Sequence, residues 1–272
     1  MQIAAIQMVS GPEVARNLER ARHWLEQARA RGAELAALPE YFCLMGHADT
    51  DKLALAETPG AGPIQQMLAE AARELGLWII GGTLPMKAAA AEAGAAARVR
   101  NACCVFAPDG SLAARYDKIH LFRYDNGREH YDEGRVLEAG AAPTAVQTGP
   151  LRTGLSVCYD LRFPELYRAA ALGGPCDLLS VPAAFTYTTG QAHWELLLRA
   201  RAVENQAYVI APAQGGRHEN GRRTWGHTMI VDPWGLVLGC LEEGEGLVTA
   251  ELDPARLAQV REQLPALQHR VL

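Results

Sequence analysis

Apolar residues recur along the chain with two periods, one typical of strands and one typical of helices. Short apolar runs over 2–8 and 34–38 predict two strands. Between them, apolar residues recur every three or four positions over 14–30, as on one face of an amphipathic helix. The same reasoning predicts further strands over 77–81, 99–107, 112–116, 152–157, 177–181, 206–212, 226–231 and 236–240, and further helices over 64–75, 164–173, 190–205 and 254–263.

Strands and helices alternate early in the chain, and hairpin-like pairs of strands follow. One pair flanks the turn signal Pro108-Asp109-Gly110, and another flanks Asp232-Pro233-Trp234-Gly235. This order predicts an α/β fold in which helices cover a mixed sheet. No linker rich in Pro, Gly or Ser divides the chain, so we expect a single domain over 1–272. The alanine-rich segment 88–97 is expected to be a surface excursion between strands.

The composition is that of a globular protein, and it argues against nucleic-acid and membrane partners. Of the 272 residues, 49% are hydrophobic and 21% are charged, and the net charge is -5, so the basic surface of a nucleic-acid binder is missing. No uninterrupted apolar run reaches about 18 residues, the length that suggests a membrane span. The first residues lack the positive region of a signal peptide, and the six cysteines lack CxxC spacing. Both features favour a cytoplasmic protein with free thiols.

The segment 154–167 (GLSVCYDLRFPELY) carries the strongest indication of chemistry. Cys158 follows a predicted strand, and Pro164 is placed where the first turn of the next helix favours proline. A thiol at such a strand-to-helix turn is exposed at a sharp corner, beside backbone N–H groups that can bind an oxyanion. The alternative is that Cys158 is a buried small hydrophobic residue, as free cysteines commonly are.

A cysteine nucleophile needs a base and an orienting group from elsewhere in the chain. The eight histidines show no spacing that singles one of them out. Glu40 ends a predicted strand, where its side chain would emerge at the edge of the sheet, although a solvated loop glutamate is the alternative. Lys118 follows another predicted strand and is one of only three lysines among 26 basic residues. Because lysine is rarely buried unless it is paired, a surface position is the alternative for Lys118.

Taken together, Glu40, Lys118 and Cys158 resemble the catalytic triad of the carbon–nitrogen hydrolases of the nitrilase superfamily. In that family the lysine lies in a YxKxHLF-like segment and the cysteine in a CYDxRFPE segment, which match residues 116–122 and 158–165. The family's second active-site glutamate matches Glu133, in an ExxxLxxG stretch. The resemblance extends over the whole chain, and four motifs in the same order are far more specific than one.

The resemblance implies an αββα sandwich that forms a homodimer, with helices such as the one after Cys158 at the interface. It also implies hydrolysis of the C–N bond of a small linear amide, with Cys158 as the nucleophile and Glu40 as general base and acid. Lys118 and the backbone N–H of Tyr159 would hold the oxyanion. Glu133 would position Lys118 or the substrate.

Four further segments narrow the resemblance to the branch of deaminated glutathione amidases; they are 193–204, 213–218, 226–235 and 264–270. The neighbouring omega-amidase branch shares the first and third of them. We therefore expect a deaminated glutathione amidase that releases ammonia from a small linear amide. An omega-amidase acting on 2-oxo-dicarboxylic monoamides is the alternative. The segment 123–131, which lies near the entrance of the site in the family, differs from the lid-like stretch of the characterised amidase.

A basic loop and two aromatic residues are the candidates for substrate binding. The loop over 217–223 contains three arginines and a histidine. Because deaminated glutathione carries several carboxylates, we expect an arginine of this loop, Arg217 first, to pair with one of them. A solvated loop is the alternative. Tyr187 and Trp194 are expected to line the pocket, although such aromatic residues are more often part of a core.

Other classes of protein lead to different expectations. A catalytically silent binding protein on the same fold would have no need of an intact Glu40, Lys118 and Cys158. A cysteine–histidine hydrolase predicts a histidine near Cys158 in place of Glu40. Neither His120 nor His227 lies in an HxH, HExxH or CxxC pattern, so we expect neither a metal nor an organic cofactor.

Overall fold

The computed structural model describes residues 1–88 and 97–271, so most of the alanine-rich segment lies outside the described residues. The helices are α1 (Val14–Ala30), α2 (Asp51–Leu55), α3 (Pro63–Leu75), α4 (Pro164–Ala170), α5 (Tyr187–Asn205) and α6 (Pro254–Gln263). The strands are β1 (Gln2–Gln7), β2 (Leu35–Ala37), β3 (Trp78–Ile80), β4 (Leu84–Lys87), β5 (Val99–Phe106), β6 (Leu112–Asp117), β7 (Arg123–Asp125), β8 (His130–Asp132), β9 (Thr144–Thr148), β10 (Leu151–Leu155), β11 (Leu178–Ser180), β12 (Tyr208–Ala211), β13 (Gly215–Arg217), β14 (Arg223–Trp225), β15 (Thr228–Val231), β16 (Val237–Leu241) and β17 (Gly246–Glu251).

Two mixed sheets form the centre of the fold. The first has the order β17-β1-β2-β3-β5-β4, with β6 paired to β5, and the second has the order β16-β15-β12-β11-β10-β9. Strands β1, β2 and β3 run parallel in the first sheet, and β10, β11 and β12 run parallel in the second. Two separate hairpins, β7-β8 and β13-β14, lie outside these sheets.

The layers follow from the alternation of side chains along buried strands. On β1, Ala4 and Ile6 pack in one apolar cluster with residues of α1 and α3, whereas Ile3 and Ala5 pack in the other with residues of the second sheet. Trp194 and Leu198 of α5 belong to that second cluster. Helices therefore cover the outer face of each sheet, which confirms the expected αββα sandwich.

The predicted elements with a strong period lie where the structure has them. The bounds of α1 and α6 match the expected ranges, and α3 ends at Leu75 and is followed by Gly76, whose φ of 61° suits glycine at a helix C-terminus. The pattern missed α2, β4 and both isolated hairpins, because short elements offer too few positions to show a period. It also missed β9 and β17, which are only partly buried. Within the described residues, no helix is long and apolar enough to cross a membrane.

Strand ends from both sheets converge on one region. Glu40 and Lys118 follow β2 and β6 of the first sheet, while Cys158 follows β10 of the second. The backbone N–H of Ala184, in the loop after β11, donates to Glu40 Oε2 at 3.0 Å and so joins the two sheets at this point. Loops at the ends of strands are where folds of this kind place reactive side chains.

Candidate active site

Cys158 lies on a strained turn between β10 and α4. It begins a short 3₁₀-helix, Cys158–Arg162, and its φ of 50° lies in the left-handed region that few non-glycine residues adopt. Its N–H donates to the carbonyl of Pro182 at 2.9 Å, which fixes the turn against the loop after β11. The expected sharp corner is present, but the expectation of an exposed thiol was wrong, because Cys158 is only 7% exposed. Packing between the two sheets covers it.

Glu40 is buried with every carboxylate oxygen in a hydrogen bond. Oε1 accepts from Lys118 Nζ at 2.8 Å and from Asn101 Nδ2 at 2.9 Å, and Oε2 accepts from the N–H of Ala184. The next residue, Tyr41, has a φ of 57° and donates its N–H to Thr83 Oγ1. A second strained residue therefore orients this carboxylate, as backbone strain often does at functional sites.

Lys118 is fully buried between two carboxylates, so the alternative of a surface lysine was wrong. Its Nζ lies 2.8 Å from Glu40 Oε1 and 2.9 Å from Glu133 Oε2. Glu133 also accepts hydrogen bonds from Tyr41 Oη and from the N–H of Phe122, both at 2.7 Å. A buried ammonium is tolerated when it is paired and hydrogen-bonded in this way. Glu133 thereby holds Lys118 in place.

Charges and burial set the protonation states of the four groups. Burial raises the pKa of Glu40 above its ordinary value against the opposing effect of Lys118. Burial also raises the pKa of Glu133, but Lys118 and hydrogen bonds to the carboxylate have the larger effect. The pKa of Glu133 is therefore below its ordinary value. Burial would lower the pKa of Lys118, yet the two glutamates hold it well above its ordinary value. Burial and Glu40 raise the pKa of Cys158. The site thus holds a neutral thiol beside a carboxylate whose pKa is shifted toward neutrality.

Besides burial, the groups that shift the pKa of the Cys158 thiol most are Glu40, Lys118, the backbone of Ala184 and Glu133. His120, the histidine two residues after Lys118, instead contacts the buried Asp160 through Nδ1 at 2.7 Å. The structure therefore pairs Cys158 with Glu40 and not with His120. Within the described parts of the chain, no group of three or more His, Cys, Asp or Glu side chains is arranged to hold a metal ion.

Several residues of the site were missed in the sequence. Asp160 accepts hydrogen bonds from the N–H of Val157 and from Tyr116 Oη, besides those from His120, and so links the turn at Cys158 to the segment that carries Lys118. Asn101, which binds Glu40, is a polar residue in the apolar strand β5. A buried polar residue inside an apolar run is the signal that could have identified both positions.

A narrow cavity opens beside the thiol; its lining consists of Phe122, Cys158, Tyr159, Arg162, Ala184, Phe185, Thr186 and Thr189. The space that a water-sized sphere can reach inside it is about 20 Å³, enough for one or two water molecules. Arg162 is the cation of this lining, and sequence reasoning did not single it out. Its guanidinium lies 5.4 Å from the Phe185 ring centre and 3.2 Å from His193 Nδ1.

The three expected substrate-binding side chains lie away from this cavity. Trp194 is 1% exposed and packs behind Phe185, with its ring Nε1 donating to the carbonyl of His227. Tyr187 contacts Arg223 and Trp225. Arg217 faces a different cleft, whose lining includes Arg16, Glu219 and Glu245. Trp194 lies in the core because its large ring is more stable in the apolar layer under α5.

An αββα sandwich that buries a thiol, an ammonium and two carboxylates where its strands end is typical of enzymes that hydrolyse carbon–nitrogen bonds. Residues 2–262 match the sequence profile of the carbon-nitrogen hydrolase family. The chain belongs to this family.

Curated relatives and solved structures agree with this assignment. The chain is 44% identical over 271 residues to a deaminated glutathione amidase of Synechocystis sp., covering 98% of this chain and 97% of that protein. It is 37% identical over 270 residues to omega-amidase NIT2 of Homo sapiens, covering 99% and 94%. The crystal structure of the C. elegans NitFhit protein superposes with a TM-score of 0.87 at 37% identity, over 99% of this chain and 65% of that one.

Proposed function

We propose that this chain is an amidase that transfers the acyl group of deaminated glutathione first to Cys158 and then to water. The observation that carries the proposal is the buried contact of Lys118 with both Glu40 and Glu133, beside the Cys158 thiol. Identity of 44% to a deaminated glutathione amidase supports the choice of substrate. Glu40, Lys118 and Cys158 are the catalytic residues in this proposal, and Glu133 is a positioning residue.

In the acylation half-reaction, Cys158 Sγ attacks the carbonyl carbon of the amide while its proton passes to the Glu40 carboxylate. The carbonyl oxygen becomes an oxyanion that accepts hydrogen bonds from Lys118 Nζ and from the backbone N–H of Tyr159. When this intermediate collapses, the C–N bond breaks and Glu40 donates the proton to the departing nitrogen. A neutral amine leaves, and a thioester remains on Cys158.

In the deacylation half-reaction, a water molecule attacks the carbon of the thioester while Glu40 accepts one of its protons. The C–S bond breaks, the sulfur recovers a proton from Glu40, and the acyl group leaves as a carboxylic acid. Lys118 keeps its charge in both halves, since burial would lower its pKa but Glu133 and Glu40 hold it well above the ordinary value. The ammonium therefore acts as a fixed hydrogen-bond donor and never as the base.

Two candidate substrates share one acyl group and differ in the amine that leaves. Deaminated glutathione joins a 2-oxoglutaryl group to cysteinylglycine, whereas 2-oxoglutaramate carries the same group as a primary amide. Ammonia is thus the amine product of the second compound, and a dipeptide is that of the first, so the expected release of ammonia applies to 2-oxoglutaramate alone. Because the chain is also 37% identical to a human omega-amidase, omega-amidase activity is the second candidate function.

Arg162 suits the carboxylate at the end of the 2-oxoglutaryl group. It lines the cavity together with Cys158, and its guanidinium contacts His193 Nδ1 at 3.2 Å and the rings of Tyr159 and Phe185. A guanidinium at the edge of a confined space favours a carboxylate through charge-assisted hydrogen bonds. We assign to Arg162 the role first expected of Arg217, because Arg217 faces another cleft.

Wild-type enzyme is expected to form 2-oxoglutarate from deaminated glutathione with a higher kcat/KM than from 2-oxoglutaramate, and to act poorly on simple amides without a 2-oxo acid group. One preparation should be assayed with all three substrates by coupled detection of 2-oxoglutarate or of the free amine. The Cys158→Ala variant, purified in the same way, controls for contaminating amidases. A preference for 2-oxoglutaramate would identify an omega-amidase, and turnover of none of them would indicate a silent protein.

The pH dependence of kcat/KM should show an acid limb set by Glu40. Protonated Glu40 cannot accept the thiol proton, so kcat/KM falls as the pH drops through its pKa. Because burial raises that pKa, the limb should lie above the ordinary glutamate value of 4.5. Burial and Glu40 also raise the pKa of Cys158, so ionisation of the free thiol adds no step at neutral pH. A kcat/KM that stays constant down to the ordinary glutamate range would contradict Glu40 as the base.

We propose that 1–272 acts as one domain and forms a homodimer in the cytoplasm. Support for the dimer comes from exposed apolar residues, among them Leu196 of α5, which is 67% exposed, and Leu236, which is 61% exposed. Leu172, just after α4, is 86% exposed. Support for the cytoplasm comes from six free cysteines. Sedimentation equilibrium should give twice the chain mass; a monomer would refute the dimer.

A further inference from the structure

The arginines of the basic loop face different parts of the molecule. The loop joins β13 to β14 and is held against the loop between β2 and α2, because Asn220 Nδ2 donates to the carbonyl of Gly46 at 2.6 Å. Asn220 Oδ1 in turn accepts the N–H of Arg222 at 3.0 Å. Arg217 points to the cleft with Glu219 and Glu245, but Arg222 points to the side that carries the hairpin β7-β8. The two arginines thus serve different surroundings.

Arg222 lies at the mouth of the candidate active site. Its guanidinium carbon is 5.1 Å from the centre of the Tyr131 ring on β8. Burial raises the pKa of Tyr41, and Arg222 is the cation that opposes this rise, which places it near the residue that follows Glu40. Among the residues that the structure describes, Arg222 has no carboxylate within 4.0 Å, whereas Arg223 approaches Glu243 to 3.7 Å. Arg222 is a half-buried cation that forms no ion pair with a described residue and shares the Tyr131 side chain with Glu129.

Two aromatic rings, those of Tyr131 and Phe122, lie between Arg222 and the cavity that contains the thiol. The Tyr131 ring centre lies 5.6 Å from that of Phe122, and Phe122 lines the cavity with Cys158. A dipeptide spans about 7 Å when extended. A dipeptide that leaves Cys158 along the Phe122 side of the cavity carries its carboxylate toward Tyr131 and Arg222. The free amine of an omega-amide, which is ammonia, has no carboxylate.

We propose that Arg222 binds the terminal carboxylate of the leaving dipeptide and thereby selects peptide amides over primary amides. This inference rests on the proposed function and names the part of the site that distinguishes its two candidate substrates. The acyl group is the same in both, so selection between them must come from contacts with the amine. A guanidinium suits this task because it offers paired N–H donors to a carboxylate, and the Tyr131 ring packs against it.

The test compares two forms of deaminated glutathione, one with the free glycine carboxylate and one in which that carboxylate is a carboxamide. Wild-type enzyme should prefer the free carboxylate by about tenfold to 100-fold in kcat/KM, the factor expected for a hydrogen-bonded charge. Arg222→Ala should reduce that preference to less than about threefold, because both compounds then lack a partner. Arg222→Lys keeps the charge but loses the paired N–H donors of the guanidinium. It should therefore show an intermediate preference for the free carboxylate.

Arg217→Ala is the matched control, since it removes an arginine of the same loop that faces another cleft. It should keep the wild-type preference. The inference is overturned if Arg222→Ala retains that preference, or if Arg217→Ala loses it instead. Failure of the proposed function looks different, because wild-type enzyme would then form no 2-oxoglutarate from deaminated glutathione. Arg222→Lys provides the same readout should the alanine variant fold poorly.

Discussion

Cys158→Ala is expected to leave no measurable turnover of deaminated glutathione, a loss of at least about 10⁴-fold in kcat. Sγ of Cys158 is the only protein atom that forms a covalent bond with the substrate in the proposed mechanism. Without the thiol, Glu40 also has no proton to accept in the first step. Alanine fits the buried turn, because it removes one atom and keeps the Cβ. Initial rates of 2-oxoglutarate release with excess substrate measure the effect.

Cys240→Ala is the matched control for this loss. It makes the same chemical change at an exposed cysteine on β16, far along the chain from the site. We expect it to keep wild-type kcat and KM. The contrary result would be undiminished turnover in Cys158→Ala, with an unchanged melting temperature in both variants. It would show that Cys158 is not the nucleophile.

Lys118→Arg is expected to lower kcat by at least about 100-fold even though the positive charge is kept, comparable to the loss of one oxyanion-hole donor. Nζ of Lys118 lies 2.8 Å from Glu40 and 2.9 Å from Glu133, with no exposed surface on its side chain. A guanidinium is wider and planar, so it cannot occupy the same point between two carboxylates. It would also displace the oxyanion from its donors.

Lys87→Arg tests the same substitution outside the site, since Lys87 is exposed at the end of β4. Its kinetics should match the wild type. Rates with saturating deaminated glutathione and thermal unfolding should be measured for both variants. Wild-type rates in Lys118→Arg would show that charge alone suffices, and that the compact shape of the ammonium has no part in the reaction.

The long helices could be predicted because their period repeats over several turns. Helix α1 repeats its apolar positions over 17 residues, and it has the predicted bounds. The β7-β8 hairpin could not be predicted, because each of its strands has three residues and mixes charged with aromatic side chains. Its position depends on contacts with distant parts of the chain, such as that of Arg222 with Tyr131, which no local pattern encodes.

The positions of Glu40, Lys118 and Cys158 relative to one another also lie beyond local patterns. Each follows a strand, which could be predicted, but the strands belong to two sheets whose packing brings the ends together. Burial of Lys118 contradicts the usual preference of lysine for the surface, and it is stable only because two glutamates from separate segments pair with it. Resemblance to the family identified these residues, whereas the charges and distances required the structure.

In the proposed mechanism, both candidate substrates pass through one 2-oxoglutaryl thioester on Cys158. Hydroxylamine competes with water for a thioester, so the ratio of hydroxamate to 2-oxoglutarate should be measured with deaminated glutathione and with 2-oxoglutaramate at the same hydroxylamine concentration. Because a common intermediate has lost its amine before it reacts with water or hydroxylamine, the ratio should be the same for both substrates. Ratios that differ between the two substrates, or the absence of any hydroxamate, would contradict it.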